Sequence, residues 1–151
     1  IQDTLLLYGK RLGTDVKLEL NLGESAAMAL CDPIQISQVL LNLLNNAHDS
    51  LKDRTEPPPW ISVTVVPLET SYEMSVRDNG PAISPENQAR LMQAFFTTKG
   101  SQGTGVGLAI SSRIVSEHGG ELTFVQERET KVFRIRIPAH RGEHETKHTH
   151  R

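Results

Sequence analysis

The sequence predicts an α+β fold in which helices cover one face of a mixed sheet, and three observations carry that expectation. Period-two alternation recurs in short segments that come mostly in pairs, and longer segments repeat apolar residues at helical spacing. The elements run α-β-β-α-β-β-α-α-β-β without an internal repeat, helices interleaved among strands. A length of 151 residues suits one domain with its own core.

Residues 2–13 place Leu5, Leu6 and Leu12 at helical spacing and stop at Gly13. Residues 16–22 alternate Val-Lys-Leu-Glu-Leu-Asn-Leu, the pattern of a half-buried strand, and 26–31 reads as a short partner strand. Asp32-Pro33 opens a helix, with an acid at the N-cap and Pro in the first turn, and the helix runs to Leu51. Asp53-Arg-Thr-Glu-Pro-Pro-Pro59 is a surface linker. Strands follow at 60–68 and 72–77, the second ending at the turn Asp78-Asn-Gly80. Ser84-Pro85-Glu86 caps a short helix to Gln93. A Gly/Ser/Thr-rich loop at 97–105 leads into a helix at 106–118, closed by Gly119-Gly120. A final hairpin spans 121–126 and 131–137. Residues 1–139 are thus read as the domain, and the polar stretch 140–151 as a disordered tail.

A net charge of −2 gives no electrostatic case for nucleic acid or an anionic membrane surface. The single cysteine, Cys31, excludes an internal disulfide and a Cys-based zinc site, and suits a reducing cytoplasm. No apolar run approaches the roughly 18 residues of a membrane span, and no signal peptide is expected within these residues. The chain begins at Ile1 without an initiator methionine, so a longer protein is expected to continue upstream.

At about 100° per residue, Ile36, Leu40, Leu43, Leu44, Ala47 and Leu51 gather on one face of the helix from Pro33. Gln38, Asn42, Asn45, Asn46 and Asp49 gather nearly opposite. Asn is a mediocre helix former, so three in five positions call for a reason. A solvated face is one; the other is a set of hard oxygen ligands able to hold Mg²⁺ beside phosphates. In Thr97-Thr-Lys-Gly-Ser-Gln-Gly-Thr-Gly-Val-Gly-Leu108, glycines alternate at 103, 105 and 107 ahead of a helix start. That arrangement lets backbone N–H groups approach a phosphate, and Lys99 is the loop's one cation. Neither a Walker loop nor a Rossmann fingerprint fits, so the segment is a plain surface loop or a phosphate loop of another kind. Asp78, at a strand end, is either a turn residue or an acceptor for an exocyclic amine such as that of adenine.

Together these segments resemble four motifs of bacterial sensor histidine kinases, in the family's order. Gln38-Val-Leu-Leu-Asn-Leu-Leu-Asn-Asn-Ala-His-Asp-Ser50 is similar to the N box, and Asp78-Asn-Gly-Pro-Ala-Ile83 to the first glycine box. Phe95-Phe-Thr-Thr-Lys99 resembles the F box, and Gly103-Thr-Gly-Val-Gly-Leu-Ala-Ile110 the second glycine box. The resemblance implies the catalytic, ATP-binding domain, a two-layer α/β sandwich of the Bergerat type with about five strands and about three helices. It implies that Asn46, with Asn42, binds Mg²⁺, that Asp78 takes the adenine amine, and that Lys99 neutralises the γ-phosphate. Asn46 and Lys99 would be the catalytic pair. Asp49, Ala82, Ile83, Phe96, Thr98, Gly103, Thr104, Gly105, Val106, Gly107 and Leu108 complete the implied nucleotide contacts, the glycines as part of a lid. Phe95 and Phe96 are either lid anchors or core packing.

Two positions depart from the family pattern: Ala82 replaces the second Gly of the first box, and Ala94 the Pro before Phe-Phe. Ala82 would be strained at positive φ, yet the polar contacts are in place and nucleotide binding is expected. Hydrolases of the superfamily resemble one another in a Glu one turn before the metal Asn; here Asn42 stands there and cannot act as a base. Transfer to histidine is therefore favoured over hydrolysis, with a serine kinase or a regulatory module without phosphotransfer as alternatives. The resemblance places the acceptor on an upstream dimerisation domain. None of His48, His118, His140, His144, His148 or His150 has its setting. A response regulator downstream, a cytoplasmic location, a monomeric isolated domain, and no contact with nucleic acid or membrane complete the expectation. His118 is read as structural, a cation against a helix dipole.

Overall fold

The computed structural model describes residues 1–12, 15–23, 29, 31–100 and 103–139. Its elements are α1 (Gln2–Leu12), β1 (Lys17–Asn21), α2 (Pro33–Leu51), β2 (Trp60–Pro67), β3 (Ser71–Asp78), α3 (Pro85–Gln88), α4 (Gly107–Glu117), β4 (Glu121–Glu127) and β5 (Thr130–Pro138). The strands form one sheet in the order β1-β2-β3-β5-β4. β1 and β2 are parallel, as their connection through α2 allows, and every other pairing is antiparallel.

α2 forms where the capping chemistry says it should. The Asp32 carboxylate accepts from the N–H groups of Ile34 (2.9 Å) and Gln35 (3.2 Å). Its apolar stripe is fully used: Val39, Leu40, Leu43 and Leu44 have no exposed surface, and they pack on Ile61, Val63, Val76 and Ile135 of the sheet. Burying a Leu contributes about 1.5–3 kcal/mol, so this stripe contributes strongly to core stability. α4 ends in a Schellman motif at Gly119, φ +71°, whose N–H bonds Ser116 O while that of Gly120 bonds Val115 O. The opposite sheet face carries ion pairs among Glu73, Arg77, Glu127, Arg134 and Arg136, a solvated surface that leaves the helices to one side.

The two-layer α/β expectation holds, with local differences. The inner face of α1 is Leu5, Tyr8 and Leu12, whereas Leu6 is 64% exposed; Tyr8 is the residue whose spacing completes that stripe. β1 is an edge strand with one neighbour, so Leu20 stays 43% exposed and the expected half-burial is not reached. The helix expected to reach Gln93 ends at Gln88, and the chain continues in i→i−3 turns through Arg90, Leu91 and Gln93. A one-turn α3 brings the described helices to four. Val106 and His118 are caps of α4 and not part of it. The strand expected at 26–31 lies outside the described residues except Ala29 and Cys31, neither of which is in a strand. Gly13 and the 140–151 tail also lie outside them. Among the described residues, no helix is long and apolar enough to cross a membrane.

Candidate functional site

The polar face of α2, the segment after β3, the glycine loop and the start of β5 enclose a cleft of about 650 Å³. Asn42, Asn46 and Asp49 line it from α2; Ala82 and Ile83 from the first glycine segment; Phe96, Thr98 and Lys99 from the next. Gly103, Thr104, Gly105, Gly107 and Leu108 close the remaining side. The cleft therefore gathers residues from all four sequence motifs.

Specific contacts hold these groups in place. The Asn42 amide donates to Ser111 Oγ at 2.9 Å, tying α2 to α4. Gly107 lies so close to Asn42 Oδ1 that a Cβ there would overlap it, so this glycine permits the approach of the two helices. α4 has no side-chain N-cap bond: Val106 occupies the cap, and Gly107 and Leu108 of the first turn line the cleft. Ile83 is pinned on both sides, its N–H on Gln126 Oε1 (3.2 Å) and its carbonyl on Gln88 Nε2 (2.6 Å). Lys99 Nζ meets Asp49 Oδ2 at 2.8 Å, and Lys52 meets Oδ1 of the same carboxylate at 2.8 Å. Partial burial works against ionising Asp49, but the bonds from Lys52 and Lys99 outweigh it and hold the carboxyl below its usual range.

The adjacent phenylalanines separate. Phe96 packs against the core and carries the Arg90 guanidinium 4.4 Å above its ring, whereas Phe95 is 81% exposed at φ 66°. Ala82 is not among the residues with positive φ, so its methyl meets no left-handed strain.

Asp78 differs from the expectation in one respect. It is 2% exposed and lies behind the cleft wall, not on it. Its Oδ1 accepts from Gly80 N (2.8 Å) and Ser50 Oγ (3.1 Å), and stands 3.2 Å from Lys131 Nζ. Asn79 braces this corner, accepting from Trp60 N and donating to Pro58 O, both at 2.9 Å. Lys131, itself 5% exposed, does line the cleft. Burial pushes its ammonium below the usual lysine value, and Asp78 opposes that shift. Val106, the cap, is likewise absent from the wall.

The sequence reading missed Lys131, Ser50 and Asn79. For Lys131 a signal existed: Lys131, Phe133, Ile135 and Ile137 alternate on one face of β5, the face that supplies the core. That same alternation sets Lys131 directly across from Asp78 in the β3–β5 register.

His118 also departs from its reading. Its Nδ1–H donates to Ile114 O at 2.7 Å, and its Nε2 accepts from Asp32 N–H at 3.0 Å. An accepting nitrogen carries no proton, so the ring is neutral and bridges the end of α4 to the cap of α2. It is structural, but not a cation on a dipole.

Residues 31–141 match the family described as histidine kinase-, DNA gyrase B- and HSP90-like ATPases. Sporulation kinase E of Bacillus subtilis (strain 168) is 33% identical over 149 residues, which are 96% of this chain and 19% of that protein. The chain thus spans about a fifth of that relative's length. The catalytic domain of histidine kinase ThkA, in a nucleotide-free form, superposes with a TM-score of 0.78 at 28% identity, covering 91% of this chain and 90% of that one. ThkA in complex with the response regulator protein TrrA gives 0.76 at 25% identity, over 92% of this chain and 39% of the other. With its four motifs drawn into one cleft on a two-layer sandwich, the chain belongs to this ATPase family, and within it is similar to the catalytic domains of histidine kinases.

Proposed function

We propose that this domain binds Mg-ATP in the cleft and donates the γ-phosphoryl group to a histidine on a separate, upstream dimerisation domain, from which a response regulator is served. The observation that supports this most directly is the convergence of Asn46, Lys99 and the uncapped start of α4 on one cleft. Phosphoryl transfer asks the protein chiefly for positioning and charge neutralisation, which an amide oxygen, an ammonium and a row of N–H groups supply.

Asn46 would hold Mg²⁺ through its amide oxygen, a hard ligand that suits this ion, and Asn42 would be the second ligand from the same face. When bound, the ion neutralises phosphate charge. The Asn42 amide nitrogen is committed to Ser111, so Asn42 has its oxygen to offer. Lys99 exchanges Asp49 for the γ-phosphate, and the glycine loop brings Gly103, Gly105 and Gly107 against the chain of phosphates. Asp78 would accept from the adenine amine, a contact that requires the corner of Gly80 and Lys131 to open, because the carboxylate is buried off the cleft wall. Hydrolysis is disfavoured because Asn42 occupies the position a general base would need. The domain works in the cytoplasm, where ATP and the response regulator are found.

The test is transfer in trans. Mixed with Mg-ATP and a histidine-bearing dimerisation domain, the chain should yield acid-labile, base-stable phosphate on that domain. Lys99→Ala should slow transfer about a hundredfold. Release of inorganic phosphate by the chain alone, with nothing on the added domain, would instead mark an ATPase.

A further inference from the structure

Ser111 is a buried hydroxyl, 2% exposed, in the same helix as the buried Ile114 and Val115. A hydroxyl taken out of water is costly unless it is hydrogen-bonded, and two helices pack well without such a pair. Its partner is the Asn42 amide nitrogen, at 2.9 Å. The other end of the same amide meets α4 one turn earlier. At Gly107 an added Cβ would overlap Asn42 Oδ1 more closely than any other atom of that side chain. Residues 107 and 111 share one face of α4, so this face holds the amide's nitrogen and leaves its oxygen uncovered. Asn42 and Gly107 line the cleft, whereas Ser111 stands behind it. Among the described residues no donor meets Oδ1, and no buried side-chain oxygen lacks a partner, so Oδ1 is open at the cleft.

We propose that Ser111 is a positioning residue for the metal: by taking the Asn42 amide nitrogen, it keeps Oδ1 turned to the cleft as the second oxygen ligand of Mg²⁺ beside Asn46. The assignment rests on the Mg-nucleotide reading above. The last torsion of an Asn side chain is roughly two-fold, so an unanchored amide also presents its NH₂ group. That group carries two donors and offers a cation nothing. Affinity falls in proportion to the fraction of molecules in the competent orientation. Gly107 serves the same end, because a side chain there would cover the oxygen that Ser111 orients.

Calorimetric titration of the full chain with ADP, once in excess Mg²⁺ and once in EDTA, measures the affinity gained from the metal. Ser111→Ala should leave the affinity in EDTA within about twofold and shrink the Mg²⁺ gain about threefold or more. If Ser111→Ala does not fold, Ser111→Cys, of similar size and a weak acceptor, takes its place. Asn42→Asp presents an oxygen in either orientation. In that background, removing the Ser111 hydroxyl should change the Mg²⁺ gain by less than about twofold. An undiminished gain in the Ser111 variant, an equal loss with and without Mg²⁺, or the same loss in the Asn42→Asp background overturns the Ser111 assignment alone. A wild type whose ADP binding ignores Mg²⁺ overturns the metal reading, and one that binds no ADP the nucleotide reading, each taking this assignment with it.

Discussion

At Gly105 the backbone has φ +68°, and an added Cβ would lie 2.5 Å from the carbonyl carbon of Phe95. Both facts exclude a side chain. Left-handed geometry alone costs an ordinary residue about 1–2 kcal/mol, and the contact adds to it. Gly105→Ala should therefore lower stability by at least about 1 kcal/mol in urea melts and weaken Mg-ADP binding, because the loop cannot keep its path. Ala82 is the opposite case. It departs from the family's glycine but is not left-handed, so Ala82→Gly relieves no strain. That change should leave ADP affinity within about threefold and reduce stability by less than about 1 kcal/mol, through the freer unfolded chain. A restored affinity of tenfold or more in Ala82→Gly would mean the methyl obstructs the nucleotide.

Helix contacts set the next scale. α1 reaches α2 through the Thr4–Ser37 hydroxyl bond (3.2 Å) and buries Tyr8, 3% exposed, whose phenol is pushed up to about 12 by burial, with Arg11 opposing and Asp49 adding to the shift. A raised phenol favours the protonated form in the folded state, so its contribution is whole below about pH 10 and is lost as pH rises toward 12. By about pH 11 the wild type should have lost about 1 kcal/mol that Tyr8→Phe keeps, as denaturant midpoints across that range will show. The α2–α4 pair depends on the His118 bridge and the Asn42–Ser111 bond, which clamp the two helices at opposite ends of their contact. His118→Ala should cost about 1 kcal/mol by leaving Asp32 N–H without its acceptor, whereas Ile114 O keeps the backbone N–H of residue 118. Asp32→Ala should cost about 1 kcal/mol more through the lost cap. The pair shares the Asp32 backbone, so the double variant should fall short of the sum.

For the molecule as a whole, the cleft and the core share walls. Phe133 belongs to both, and Leu43 and Leu44 are buried on α2 beside the Asn42 and Asn46 that face the cleft. A ligand that binds the folded domain and not the unfolded chain must therefore raise its stability. Mg-ADP at a hundred times its dissociation constant should add about 2.7 kcal/mol and several degrees to Tm. Asn46→Ala should remove most of the Mg²⁺-dependent part of that shift. An unchanged Tm at saturating nucleotide would contradict the assignment of the cleft.

Much of this was legible in the chain itself, because the signals are local. Periodicity and capping set the limits of α2 to the residue, and β2 to β5 to within a residue or so, since strand alternation and N-cap chemistry need no distant partner. The wall residues Asn46, Lys99 and the glycines could likewise be named from motif order. The sequence by itself determined which four motifs meet at the cleft. Tertiary structure decided which of those residues face the cleft and what each one touches. The depth of Asp78, the separation of Phe95 from Phe96, the exposure of the edge strand β1, the neutral bridge at His118 and the burial of Lys131 all follow from sheet register and helix packing. Those are relations between residues far apart in sequence. A lysine on an apolar face gains its meaning only when the strand beside it brings an aspartate across from it.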